Sequence, residues 1–441
     1  MAHGVLIAFD DGILTASPTW TDLGSLAGVS IQRVEIKRGR QDEWDKTPVG
    51  TATISGTCTT GVLDPTYAAG SLFGKLDPMK QVQIELQNAM NSTWASVFRG
   101  YISDWNYELD PSERMYTFEI ECEDALTIIS DAEVIPDGAG NTTPDESPGD
   151  VKYDPVTVTS DRMLAALHDT ATTFGNVFGA DWPAGLIDFH TGNVKLKGVI
   201  YSPRSSLLQV IDDASDGDLP WGNNRFVSKT GAVTFRGRLT RFDPTNPTYD
   251  VTFWTVGDTA AFNSNSATAL ISGLKFTRGK TNLLNAALVT PKDIADEDIA
   301  GQFVSDATSI STYGAHSISF EDLLTDGRSD DTTTPLEETK DMGSGLVANY
   351  KTPKNRISEI TFRPIPTGAA GTAVWSLLCG VELDDVFTVT TTHPGGGGFS
   401  GEDFFVESLE YTWDVEGGHN FTNVTLTAEV SPRAHWMTNP F

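Results

Sequence analysis

Apolar and polar side chains alternate with a period of two along much of the chain, and that period belongs to strands with one buried face. Val82-Gln83-Ile84-Glu85-Leu86 is the cleanest case. Phe118-Glu119-Ile120-Glu121-Cys122-Glu123 points three carboxylates one way and Phe, Ile and Cys the other, and Val424-Thr425-Leu426-Thr427 repeats the pattern near the C-terminus. β-Branched and aromatic residues fill the runs, while 41 Gly and 22 Pro punctuate them at turn spacing. The expected fold class is mainly β with a few short helices.

Composition narrows the functions. The chain has 60 Asp and Glu against 30 Lys and Arg, a net charge of −30 at pH 7. No basic stripe exists, which excludes a phosphate-tracking nucleic-acid binder and a peripheral protein of anionic membranes. At 39% apolar and 10% aromatic residues the chain is too rich in bulky side chains to be disordered. Its 441 residues predict about three domains at roughly 150 residues each. Cys58, Cys122 and Cys379 are widely spaced with no Cys-x-x-Cys, so neither a disulfide framework nor a zinc site is expected, and they read as reduced core thiols. The opening MAHGVLIAFDDG has an acidic pair where a signal peptide needs apolar residues. The longest apolar run, 373–381, is too short to span a bilayer, so a soluble protein without an export signal is expected. The sequons at Asn91, Asn141, Asn420 and Asn423 carry no weight without export.

Three stretches look helical. Residues 161–168 follow Thr159-Ser160, either of which can cap; 206–214 presents Leu207, Val210, Ile211 and Ala214 on one face; and a third helix begins after Thr334-Pro335, presenting Leu336, Met342, Leu346, Val347 and Tyr350 to a core, weakened by Gly343 and Gly345. Shifts in composition set the boundaries. Residues 1–134 form a first β-barrel, 135–158 a Pro/Gly/Asp-rich linker or loop, 159–260 a middle α+β domain, and 261–441 a second barrel with an acidic insertion at about 291–355.

An internal echo links the two ends. Leu76-Asp77-Pro78 and Leu383-Asp384-Asp385 each feed an alternating strand; Phe98 and Phe405 follow at the same distance; each leads into a strand ending in Trp, at Trp105 and Trp413. Two unrelated meanders with shared turn chemistry would give this, and so would a duplicated small β-barrel, which is the preferred expectation.

Chemistry is sparse, and no catalytic, cofactor or metal residue is assigned. Acidic pairs are too numerous for any one to mark an acid/base site. Asp212, Asp213, Asp216 and Asp218 with Gly217 resemble an EF-hand loop, but Ala214 and Asn223 occupy ligand positions, so a helix followed by an acidic turn fits better; calcium at another acidic loop stays open. His168, His190, His316, His393, His419 and His435 form no His-x-x-x-His pair. Gly343-Ser344-Gly345 is not a nucleophile elbow, and 395–398 is a glycine loop tip without a following Gly-Lys-Ser/Thr. The chain reads as an assembly part rather than an enzyme, with edge strands and aromatic faces to be buried in an oligomer.

The order of several weak motifs resembles the minor tail proteins, or tail-tip baseplate hubs, of long-tailed phages of actinobacteria. These are Trp20-Thr21-Asp22-Leu23, Val34-Glu35-Ile36-Lys37-Arg38-Gly39-Arg40, Gly50-Thr51-Ala52-Thr53-Ile54, Leu63-Asp64-Pro65, Phe98-Arg99-Gly100-Tyr101-Ile102 and Cys122-Glu123-Asp124-Ala125-Leu126. The middle carries Ser206 to Ala214, Phe226-Val227 and 231–236; later come 309–314, Tyr350-Lys351-Thr352-Pro353 and Leu383-Asp384-Asp385. The resemblance implies duplicated tail-hub β-barrels around a middle α+β domain. It also implies a homotrimer whose paired barrels form a pseudo-six-fold ring, adapting the tail tube and distal tail protein to a three-fold tip. Tape measure protein, other tail-tip or fibre proteins and, as passing cargo, DNA are the implied partners, in a virion assembled in the host cytoplasm. An acidic lumen would let DNA slide by like-charge repulsion. No fused peptidase or glycan-binding extension is present, so wall degradation is not expected. The alternatives are the hexameric distal tail protein, or a carbohydrate-binding adhesin or hydrolase using Trp182, Trp221, Trp254 or Trp375 as stacking platforms.

Overall fold

A computed structural model describes residues 3–41, 43–112, 114–134, 151–167, 182–202, 204–221, 224–246, 249–280, 282–365, 367–414 and 423–433. Most of the expected linker, with His168, Asn223, His419, His435 and the sequons at Asn141 and Asn420, lies outside them. The fold is mainly β, as the alternation predicts. Twelve of its strands form two β units: β1 (His3–Ala8), β2 (Val29–Gly39), β3 (Thr51–Cys58), β4 (Gln81–Gln87), β5 (Trp94–Asp110) and β6 (Met115–Glu123) in the first part. The second part has β7 (Phe253–Gly257), β8 (Gly273–Thr277), β9 (Arg356–Phe362), β10 (Val386–Thr390), β11 (Ser400–Asp414) and β12 (Asn423–Pro432).

The first six pair in the order β2-β3-β6-β5-β4-β1 and the second six in the order β8-β9-β12-β11-β10-β7. The two orders are the same order. One contact differs in sense, since β1 runs antiparallel to β4 whereas β7 runs parallel to β10. Each unit centres on a three-stranded meander whose middle strand is long, β4-β5-β6 and β10-β11-β12. The echo is therefore a repeated topology, but its register is not the one the aromatic spacing indicates. Each long strand carries a bulge against the strand that follows it, at Ser103 in β5 and at Glu407 in β11. Just before the meander, Met79 (φ 65°) and Asp384 (φ 71°) both hold the left-handed conformation. Met79 and Asp384 donate to the carbonyls of Ile102 (2.7 Å) and Val406 (3.0 Å), whose own N–H groups return to Lys80 (2.9 Å) and Asp385 (2.9 Å). These anchors place Tyr101, not Phe98, on Phe405, and Leu109, not Trp105, on Trp413. Tyr101 and Phe405 accordingly face the same second core.

Two helices follow their sequence signals. Ser206 caps the helix Leu207–Asp218 through Leu208 N (3.2 Å). Thr334 and Glu337 form a capping box on Pro335–Tyr350, whose buried face overrides its glycines. The helix Thr159–Leu167 starts at the residue expected to cap it. A fourth, Gly368–Gly380, overlaps the apolar run 373–381 and is not among the expected helices; it buries Trp375, Leu377 and Leu378 beside the β units.

One apolar core joins both β units. A second gathers the helix Ala125–Asp131, the segment between the units and, from the chain between β8 and β9, Val289, Met342, Leu346 and Tyr350. That chain, which contains the expected acidic insertion, enlarges a connection that spans only 40–50 between β2 and β3.

Candidate functional site: a buried seam between two β units

The units join edge to edge. The second half of β11 pairs antiparallel with β2, from Ser408 opposite Gly39 to Asp414 opposite Arg33, so a single hydrogen-bonded sheet crosses from one unit to the other. Ile36, Val34, Tyr411 and Trp413 are sealed beneath this ladder. At its end Gly39 (φ 91°) passes so close to β11 that a Cβ would lie 2.2 Å from the Glu407 carbonyl. Only glycine fits there.

The bulge of β11 aims Glu407 into the joint. Its carboxylate accepts from Arg40 Nε (2.8 Å), from both Arg241 terminal nitrogens (Nη2 at 2.9 Å) and from the Ser431 hydroxyl. Arg241 also donates to Asp384 (2.5 Å), the left-handed residue of the turn, and stacks over Phe405 with its guanidinium carbon 4.8 Å from the ring centre. Burial alone would raise the Glu407 pKa; Arg241 and Arg40 outweigh it and hold the carboxyl far below its ordinary range. Buried Glu43, from the connection after β2, accepts from Asn282 (2.5 Å) and pairs with Arg356 of β9 (3.5 Å). First unit, middle segment and second unit thus share one network of charges removed from water. Such a network stays in place only when every member is paired.

A second group lies on the same joint. Arg38 donates to Glu382 (2.5 Å) and to the Val227 carbonyl (2.7 Å). The hairpin of strands Asn224–Val227 and Val233–Arg236 pushes its turn between the units. Lys229 in that turn donates from its backbone to Glu382 (2.7 Å). Its Nζ reaches the carbonyls of Cys379 (3.3 Å), Gly380 and Val381 (3.3 Å), where the Gly368–Gly380 helix ends and a cation is favoured. The Lys229 carbonyl accepts from Ser96 of β5 (2.6 Å). One turn therefore touches both units.

The residues weighed for other chemistry are not brought together. Asp212, Asp213, Asp216 and Asp218 lie within the helix Leu207–Asp218, where Asp212 pairs with Arg225 and Asp216 with Lys46 (2.8 Å). Among the described residues no group of three or more His, Cys, Asp or Glu could hold a metal ion. His190 is pushed down to about 4 by burial and stands apart from His316 and His393. Trp182, Trp221 and Trp375 are buried, which corrects their reading as glycan platforms, and the half-buried Trp254 spends its Nε1 on Asp385 (2.9 Å). Cys58 and Cys122 are buried free thiols and Cys379 is partly buried. No described helix is long and apolar enough to cross a membrane. Sequence reasoning quoted Arg40 and Asp384 within motifs but gave neither a role, and it missed Arg241 and Glu407. The available signal was a repeated string at the seam, Val34-Glu35-Ile36-Lys37-Arg38-Gly39-Arg40 against Leu274-Lys275-Phe276-Thr277-Arg278-Gly279-Lys280.

No family model matches the chain, and no curated protein does either. Solved structures do. The tail protein from Neisseria meningitidis MC58 is similar with a TM-score of 0.54 at 9% identity, covering 99% of this chain and 98% of that one. The 43 kDa tail protein of prophage MuSo2 from Shewanella oneidensis is similar with a TM-score of 0.51 at 11% identity, covering 98% of this chain and 99% of that one. The likeness runs nearly end to end, and at these identities it is a likeness of fold. The chain has the fold of phage tail proteins.

Proposed function

We propose that the chain is a structural protein of the phage tail, and within it the tail-tip baseplate hub of a long-tailed phage of actinobacteria. Three copies would place six β units around one axis, matching a six-fold tail tube and distal tail protein on one side and a three-fold tip on the other. The channel left between them would enclose the end of the tape measure protein and give DNA a path out, with other tail-tip or fibre proteins attached outside. The protein would act in the virion after assembly in the host cytoplasm, without catalysis. The observation that carries this reading is the repeated six-stranded unit fused to its twin by a backbone ladder, because two equivalent units per chain let a trimer present six-fold positions. The full-length likeness in fold to two tail proteins supports it. Light scattering of the purified protein across concentration and salt tests it. A trimer is expected; a stable hexamer would move the chain to the distal tail role, and a monomer throughout would remove the ring.

A further inference from the structure

The joint inside the chain is closed, but the repeat contains the same joint a second time, left open at both ends. In the closed joint β2 covers the second half of β11. The counterpart of that half-strand is 104–110 in β5, which β6 borders on one side and no strand borders on the other among the described residues. The counterpart of β2 is β8, which among the described residues pairs only with β9. Exposure tracks this difference. Ile36 and Trp413 in the closed joint are 1% and 0% exposed, whereas their counterparts Phe276 and Leu109 are 57% and 50% exposed. Two apolar side chains of one repeated joint therefore face solvent on two separate edges.

We propose that β8 of one copy of this chain adds to the free edge of β5 in a second copy, in the register that β2 adopts on β11. That register sets Phe276 opposite Tyr107 and Leu274 opposite Leu109 on the apolar face. On the other face it sets Lys275 opposite Glu108, a complementary pair where the closed joint has Glu35 opposite Thr412. Gly279 falls where Gly39 passes β11, keeping the residue that the close approach requires. Arg278 takes the place of Arg38, and Asp77 that of its partner Glu382, so an ion pair between copies replaces one within the chain. Both side chains are exposed in the single chain. The contact is head to tail, and a head-to-tail contact closes into a ring or runs on as a filament. This interface rests on the hub reading only for the number of copies that close it.

Disulfide trapping tests the register. Directly opposed residues of an antiparallel pair have Cβ atoms within disulfide reach, while a partner displaced by four residues does not. The double variant Glu108→Cys with Lys275→Cys is expected to give covalent multimers on a non-reducing gel after oxidation, and Asp104→Cys with Lys275→Cys is not. A trimer by light scattering without the 108–275 cross-link, or with equal cross-linking of both variants, overturns this seam and leaves the hub standing. Efficient 108–275 cross-linking in an assembly of another size upholds the seam and overturns the trimer. A monomer that never cross-links overturns both. As an independent reading, Arg278→Asp and Asp77→Arg are each expected to weaken self-association about tenfold, and the double variant to recover most of it. No recovery would remove the ion pair.

Discussion

The closed joint and its open counterpart share topology and differ in what they bury. Around Glu407, Asp384 and Glu382 the closed joint packs Arg40, Arg241 and Arg38 out of water. The same three positions in the first unit hold Ser103, Met79 and Asp77, so only one acid remains and it is exposed. The physical reason is permanence. A buried ion network is costly without its partners, and within one chain the partners are never absent. An edge that stays in water until another copy arrives keeps its charges outside, where Asp104, Glu108 and Lys275 also discourage wrong pairing.

Replacing Glu407 is the most direct way to break that comparison. Glu407→Ala leaves two buried guanidinium groups facing each other and is expected to cost about 3–5 kcal/mol in urea unfolding. Ser103→Ala, at the equivalent bulge, should stay within about 0.5 kcal/mol. A cost below about 1 kcal/mol at Glu407 would show that the joint does not depend on its ions.

Acid sharpens the contrast. Because the Glu407 carboxyl is held below its ordinary value of 4.5, its contribution is present above that pH and lost as pH falls below it. Asp124 and Asp385 are pushed by burial in the opposite direction, up to about 7. Between their ordinary value and about 7 the folded state holds protons that the unfolded chain has released, so stability rises on acidification through that window. Melting temperature should climb from pH 8 towards 5 and then drop below about 4.5. Asp385→Asn should flatten the climb and leave the drop.

Much of this architecture is legible in the sequence, and the parts that are not share a cause. Alternation gives the strands, and Thr334-Pro335 with Glu337 gives the helix Pro335–Tyr350 because capping chemistry is local. The echo between the ends is real, yet Phe98, Phe405, Trp105 and Trp413 misplace it. Equivalence resides in a left-handed turn residue and a bulge, and Met79 and Asp384 occupy that turn with unrelated side chains. The helix Gly368–Gly380 has polar side chains only at exposed Thr372 and Ser376, so its period is faint against a nearly continuous apolar run. The ion network is the least legible element. Arg40, Arg241, Asp384 and Glu407 meet only after both units and the segment between them have folded.

Gly39 and Gly279 separate folding from assembly. At Gly39 a Cβ meets the Glu407 carbonyl at 2.2 Å with the backbone at φ 91°, so Gly39→Ala is expected to cost about 2–3 kcal/mol. Gly279 is exposed in the single chain. Gly279→Ala should leave unfolding within about 0.5 kcal/mol and show itself only in the concentration dependence of association. Equal destabilisation by the two would break the equivalence of the joints.

A loss smaller than those at Glu407 and Gly39 is expected at Lys229, which has no counterpart in the first unit among the described residues. The chain there between β3 and β4 holds only the short turn Gly61–Leu63, and no long helix end needs a cation. Lys229→Met removes the ammonium from the carbonyls of Cys379, Gly380 and Val381 but keeps the backbone links to Glu382 and Ser96. A partly buried cation at a helix C-terminus is worth about 1–2 kcal/mol, and a loss of that size is expected in urea unfolding. If Lys229→Met instead destabilised as much as Glu407→Ala, the inserted hairpin rather than the ion network would be what holds the two units together.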